Sequence, residues 1–276
     1  MSDDAKPHLS VTQLSLLTKC GVAYSRRYID RDRTPGQFRQ LRGRSVHKAA
    51  EINFRQKVET ARDLPEKEMV EIAVETLKQE VQSGVSLDAE EGAAGFNAAL
   101  RRSVDLTADL AAAHRSLQAP HYRPDREPER TIRIELPGPR DFVGVLDVGT
   151  AAIPVVDLKN GKKSRTQIEV DRDLQMTGYA ALSLQETGEI PKRLVVDQLI
   201  TGADSISRKA IETTRDESDI IILGNIIDAA NRAIDTGSFL PSIPGRDWWC
   251  SPTWCEYWST CPFVPKGRGS QAQFEE

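Results

Sequence analysis

No apolar run in the 276-residue sequence approaches the roughly 20 residues that a membrane-spanning helix needs. The opening residues, MSDDAKPHLS, lack the charged-then-apolar pattern of a secretion signal and the Arg-rich, acid-poor pattern of a transit peptide. A soluble, cytoplasmic protein with no membrane partner is therefore expected. An excess of positive charge is missing too: 37 Lys and Arg against 41 Asp and Glu give a formal net charge of −4. That excludes a protein that grips nucleic acid by bulk charge alone. No repeat of fixed period is visible, and the length suits one large domain or two small ones. Cysteines are scarce, at four: Cys20, Cys250, Cys255 and Cys261. Without an export signal they are not expected to form disulfides.

The charge that is present is unevenly placed. Between Lys19 and Lys48 lie Arg26, Arg27, Arg31, Arg33, Arg39, Arg42 and Arg44, opposed only by Asp30 and Asp32. Lys162, Lys163 and Arg165 form a second cluster. Each run taken alone reads as a solvated face. Because the clusters flank candidate catalytic residues, Arg42, Arg44, Lys162, Lys163 and Arg165 are instead expected to contact phosphates.

Residues 1–9 read as a disordered start, and residues 10–120 as helical. Ser10 is placed to cap a helix carrying Val11, Leu14, Leu17, Tyr24 and Tyr28 at helical spacing. Pro35 and Gly36 interrupt, and a second helix starts near Phe38 or Leu41 and runs past Phe54. Residues 65–83 and 88–118 are predicted as further helices. A proline-bearing connection, Ala119–Pro128, leads to three β-branched segments, TIRIEL, FVGVLDVGT and IPVVDLK, which short turns predict to be an antiparallel meander. A helix over 169–187, strands KRLVVDQLIT and SRKAIETTR, and a helix over 215–236 complete the core at 121–240. This order predicts an α/β fold, a mixed central sheet flanked by helices. A Cys-rich segment at 241–264 and a disordered tail at 265–276 follow.

Asp157 and Lys159, two apart on a strand, project to one face, and Asp147 lies near the end of the preceding strand. Two carboxylates in an apolar setting are costly to bury unless a cation lies with them. Hard carboxylate oxygens suit Mg²⁺ or Mn²⁺. His47 and Glu51 share a helix face one turn apart and could complete a mixed nitrogen and oxygen site. Gln175 and Tyr179, also four apart, are either packing residues or contacts to the substrate or the lysine. Taken together, Gly43 and His47, Gly144 and Asp147, Asp157 and Lys159, and Gln175 and Tyr179 resemble, in order, the motifs of the PD-(D/E)XK nuclease superfamily. The resemblance is to its RecB-like branch, with the CRISPR-associated adaptation nucleases and phage exonucleases, and extends from Ser10 to Pro262.

The resemblance implies a restriction-endonuclease-like core and a metal held by His47, Asp147, Asp157 and the backbone carbonyl of Leu158. It assigns Lys159 to orienting a water nucleophile and Glu51 to a second ion or to water. It further implies a DNA exonuclease of a bacterium or phage-infected host, acting in recombination, repair or phage DNA metabolism. The expected partners are DNA, single-stranded or with free ends, and recombination or CRISPR adaptation proteins. A non-catalytic DNA-binding or assembly protein of the same fold, or a structure-specific endonuclease, is the alternative.

Three thiols in WWCSPTWCEYWSTCP are close enough in sequence to share one metal, and from the residues alone zinc and an iron–sulfur cluster are equally compatible. The resemblance implies a 4Fe-4S cluster on Cys20, Cys250, Cys255 and Cys261. Cys255 and Cys261 match the family spacing. Four residues separate Cys250 from Cys255 where the family has two, and Gly21 follows Cys20 where proline is common. The neighbouring Trp and Tyr side chains either shield such a cluster or stack on bases.

Overall fold

In the computed structural model, which describes residues 6–265, Ser10 accepts a hydrogen bond from the Gln13 amide, and the Gln13 side chain accepts one from the Ser10 amide. This reciprocal box starts α1 (Val11–Lys19). Just before it, His8–Ser10 form β1, parallel to a later strand, with Leu9 buried against Phe142. The expected disorder over residues 1–9 is thus corrected at His8 and Leu9: an apolar side chain with a sheet to join does not stay free. Residues 1–5 and 266–276 lie outside the described residues.

The first helix does not run on through Tyr28 unbroken. Cys20 is extended (φ −159°), and α2 (Gly21–Tyr24) then passes into a wider π turn over residues 25–29. The break brings Gly21 against the C-terminal segment, where its amide donates to the Leu240 carbonyl at 2.8 Å. A Cβ at Gly21 would fall 2.9 Å from the Leu240 nitrogen, so only glycine admits this backbone approach. Beyond Gly36, α3 (Phe38–Thr60), α4 (Glu66–Gln82), α5 (Ala89–Ala94) and α6 (Phe96–Ala113) follow. Gly95, at φ +82°, divides the single helix expected over 88–118. Ala49, Met69, Ala73 and Ala111 pack α3, α4 and α6 together.

β2 (Arg130–Ile134) and β3 (Asp141–Leu146) pair antiparallel, and β1 joins the other side of β3 to give the order β1-β3-β2. The third expected strand of the meander goes elsewhere. β4 (Val155–Gly161) pairs parallel with β5 (Leu194–Thr201), which pairs antiparallel with β6 (Ile206–Thr213). β3 and β4 are tied by an isolated bridge, Val148 to Val156. The link at Gly149 is so tight that a Cβ there would lie 2.5 Å from the Pro154 carbonyl oxygen. Each sheet is thereby mixed.

Helices cover both faces of the second sheet, and its side chains show why. Val155, Leu194 and Val196 pack with α1, α8 (Leu174–Thr187) and α9 (Glu217–Thr236), while Val156, Leu158 and Val195 pack with Ala50 and Phe54 of α3. Successive strand residues point to opposite faces, so a nearly continuous apolar run marks a strand buried on both. A short α7 (Gln167–Asp171) precedes α8.

Candidate active site

The end of β3, the middle of β4 and one face of α3 converge. Asp147, just past β3, accepts a hydrogen bond from the Leu158 amide of β4 at 2.8 Å, tying the two sheets together through a carboxylate. His47 of α3 presents Nδ1 at 3.6 Å from Asp147 Oδ2 and 3.8 Å from Glu129 Oε1. Asp157 is 1% exposed: Oδ1 accepts from Lys159 Nζ at 2.8 Å, and Oδ2, also buried, has no hydrogen-bond partner. Beneath them, Gln175 Nε2 donates to the Tyr179 hydroxyl at 2.7 Å. Gly144 lets α8 come this close, since a Cβ there would meet Leu182 Cδ1 at 2.3 Å.

Burial dominates the electrostatics. It raises the Asp157 carboxyl to about 6 despite Lys159, with the neighbouring Asp147 adding to the rise. The same desolvation lifts Asp147, against the pull of His47 and Lys159. For His47 burial works against the charged ring, but Asp147 and Glu129 outweigh it and hold its pKa above the usual value. Lys159 is likewise held charged by Asp157 and Asp147 in spite of its burial. Tyr179 is pushed up by burial and then by the two aspartates, so it stays a neutral phenol. Two buried carboxylates, one with an unpartnered oxygen, share a single lysine. The arrangement is short of positive charge.

His47, Glu129 and Asp147 each offer a ligand atom, all within 4.8 Å of one another, so this group could hold a metal ion. One imidazole with carboxylate oxygens, and the free Asp157 oxygen alongside, fits a hard divalent cation such as Mg²⁺ or Mn²⁺. Leu158 lies between Asp157 and Lys159 in the same strand. Glu129 was not among the sequence candidates. It sits at φ +52° immediately before β2, its amide donating to the Asp147 carbonyl at 2.9 Å. Glu51 is not brought into the group: its carboxylate meets Lys48 at 2.8 Å and Arg55 at 2.9 Å. Nothing local in the sequence marks Glu129: the pairing of β2 with β3, Arg130 opposite Leu146, carries it to Asp147.

Of the expected phosphate contacts, Arg42 turns to Ser103 of α6 (3.0 Å), and Arg44 to Glu80 of α4 (2.5 Å). Arg165 holds Asp173, the cap of α8, at 2.6 Å. Lys162 and Lys163 stand exposed after β4.

The four cysteines gather where α1 ends and the C-terminal segment returns. Cys20 Sγ accepts from the Ser242 amide at 3.4 Å, and the Cys250 thiol donates to the Ser242 carbonyl at 3.7 Å. Burial, then the nearby Cys255, Cys20 and Cys261, pushes the Cys250 thiol up to about 11. A cavity of about 460 Å³ opens here, lined in part by Cys20, Cys250 and Cys255. Around it the segment is fastened by Ser242 to the Lys19 carbonyl, Arg27 to Glu256 (3.3 Å) and the Tyr257 hydroxyl to the Asp32 carbonyl (2.6 Å).

No curated protein matches the sequence. Among solved structures, a candidate exonuclease from Eubacterium rectale is similar at a TM-score of 0.52 and 11% identity, over 96% of this chain and 91% of that one. A second, SSO0001, aligns over 96% of this chain and 90% of its own at 13% identity, with a TM-score of 0.40. At such identities the first likeness concerns the fold alone. The sequence itself matches the family model described as the PD-(D/E)XK nuclease superfamily over residues 8–262, a span that takes in His47, Glu129, Asp147, Asp157 and Lys159. With nearly its whole length matched, the chain belongs to the PD-(D/E)XK nuclease superfamily.

Proposed function

We propose that this chain is a divalent-metal-dependent DNA exonuclease that hydrolyses phosphodiester bonds at free ends, in recombination, repair or phage DNA metabolism. The observation that carries the reading is Asp157, buried with one oxygen on Lys159 and the other unpartnered, beside the His47, Glu129 and Asp147 group. His47, Glu129, Asp147 and Asp157 would hold Mg²⁺ or Mn²⁺, with the Leu158 carbonyl as a further ligand. A bound divalent ion supplies a water of lowered pKa and a charge that polarises the phosphoryl oxygen. Asp157 anchors the Lys159 ammonium, which orients the attacking water and offsets negative charge developing on the phosphate. Tyr179, kept neutral and hydrogen-bonded to Gln175, closes the floor of the site and donates its proton toward the carboxylates or the substrate. Lys162 and Lys163, on the loop after β4, meet the DNA backbone.

The cysteines are best accounted for by a 4Fe-4S cluster. Four thiols gathered beside one cavity are the ligand number that such a cluster takes. Its role would be to close a loop of more than two hundred residues rather than to hydrolyse. Iron and acid-labile sulfide analysis of anaerobically purified protein checks this, and stoichiometric zinc with no iron would refute it.

The nuclease reading is tested on end-labelled linear DNA and covalently closed circles with Mn²⁺ or Mg²⁺. Wild type should shorten the linear DNA and spare the circles, and Asp157→Ala and Lys159→Ala should each lose the activity by at least about a thousandfold. Equal cutting of circles would make it an endonuclease. A folded protein that leaves both substrates intact would turn the reading to DNA binding without catalysis.

A further inference from the structure

Of the tryptophans in the Cys-rich segment, Trp249 is tied into the fold, and two others are left in water. Trp249 donates its indole N–H to Ser242 at 2.8 Å, while Trp248 and Trp254 are 64% and 49% exposed. Shielding a metal centre needs no such exposure, and large apolar surfaces left in water call for an occupant. The two exposed rings meet edge to face at 5.3 Å, interplanar angle 90°. Each carries a cation. Lys19 Nζ lies 5.3 Å from the Trp248 ring centre, and the Arg39 guanidinium 4.3 Å from that of Trp254. An acidic side chain at the same rim, Glu256, is occupied by Arg27 and Thr34.

Arg39 also opens a route. It lies on α3 at the start of the row Arg39, Gly43, His47, three residues spaced by four along one ridge of the helix. Two turns, about 12 Å at 1.5 Å per residue, separate Arg39 from His47. Between them Gly43 has open space where a Cβ would be, so a chain could cross the helix there without a side chain in its way.

We propose that Trp248, Trp254, Lys19 and Arg39 form a binding site for single-stranded DNA, from which the strand crosses α3 over Gly43 to the His47 group. Bases stack on the indoles, and Lys19 and Arg39 take the phosphates. A duplex keeps its base faces stacked on one another, so an aromatic platform of this kind selects unpaired nucleotides. The direction of the route rests on the nuclease reading, but the site itself does not.

The test is fluorescence anisotropy of a labelled oligothymidylate and of a blunt duplex, on full-length protein with its cysteine-bound metal and without added Mg²⁺ or Mn²⁺. The single strand should bind more tightly than the duplex. Trp248→Ala should weaken single-strand binding by about tenfold or more, with Trp248→Phe close to wild type. Arg39→Gln should lower the slope of log affinity against log salt by about 0.7, the loss of one single-strand phosphate contact. Visible absorbance and melting temperature check that the variants keep their fold and metal. Equal affinity for both nucleic acids overturns the proposal, as does unchanged binding by Trp248→Ala, or a Trp248→Phe as weak as Trp248→Ala. Because no cleavage is read, a protein that binds as expected yet never cuts would defeat the nuclease reading and leave this one standing. A protein that cuts normally while both variants bind normally would do the reverse.

Discussion

Asp157 and Asp147 hold their protons more tightly in the folded protein than in the unfolded chain, as does His47. Between the unfolded carboxyl value near 3.8 and the folded value of about 6, the native state binds the extra proton of Asp157, so metal-free stability from this group falls as pH rises through that window. His114 works the other way. Buried and held neutral, with its pKa down at about 4, it costs stability as pH falls from 6.5 toward 4, with or without metal. A divalent ion bound there would take the place of the protons on the aspartates and His47. The rise in melting temperature on adding Mn²⁺ should therefore be small at pH 5 and grow toward pH 7.5, as differential scanning fluorimetry would read. A shift independent of pH would separate the ion from these residues. At the same scale Glu129→Gln should weaken Mn²⁺ binding by at least about tenfold in calorimetry, with Glu51→Gln within twofold of wild type. Asp147, Asp157, Lys159 and His47 could be read from the sequence because each lies in an ordered spacing. Glu129 could not, because its partnership with His47 and Asp147 depends on a strand register, Arg130 opposite Leu146, that no local pattern states.

Helices and strands were legible where a period of 3.6 or 2 ran uninterrupted, and less so at single residues that break it. Cys20 ends α1, and Gly95 splits the helix after it, each through backbone conformation rather than composition. The adjacency of β3 and β4 in sequence suggested a hairpin. The run VVDLK, however, is apolar on both faces apart from its site residues, which is the mark of a parallel strand between two layers, and it pairs with β5 instead. Close helix packing gives the sharpest test at this scale. A Cβ at Gly178 of α8 would lie 2.6 Å from Val11 Cγ2 of α1 and 3.2 Å from Phe142 Cζ of β3. Gly178→Ala should thus cost about 1–3 kcal/mol by overpacking, exceeding the helix-propensity gain of about 1 kcal/mol. Gly224 of α9 has nothing within 4 Å, so Gly224→Ala should stabilise by about 0.5–1 kcal/mol. Urea unfolding of the pair measures both, and shifts of the same sign would contradict the packing described.

Over the whole molecule, the C-terminal segment stands apart in how it is held. Between residues 241 and 265 only Ser242 and Tyr257 are buried, which is too little apolar surface to fix 25 residues by itself. If the proposed cluster fastens this stretch, its loss by oxidation or by Cys255→Ser should expose the stretch to protease while α3 through α9 resists. Limited proteolysis read by mass spectrometry would show it, and equal resistance with and without metal would assign the fastening to Gly21, Arg27 and Tyr257 alone. The sequence located the cysteines but not their meeting, because nothing local to Cys20 says that Leu240 and Ser242 will lie against it.

That meeting of the two ends also sets an order in time. During synthesis Cys20 is made early and must wait for Cys250, Cys255 and Cys261, long after the last residue of the proposed site, Tyr179, has left the ribosome. A chain cut short before Leu240 would carry every residue proposed for the site and lack the C-terminal contacts to Lys19, Gly21, Arg27 and Asp32. Closure at Cys20 would thus separate finished molecules from broken ones, in a protein whose premature fragments would already hold every side chain proposed for its chemistry.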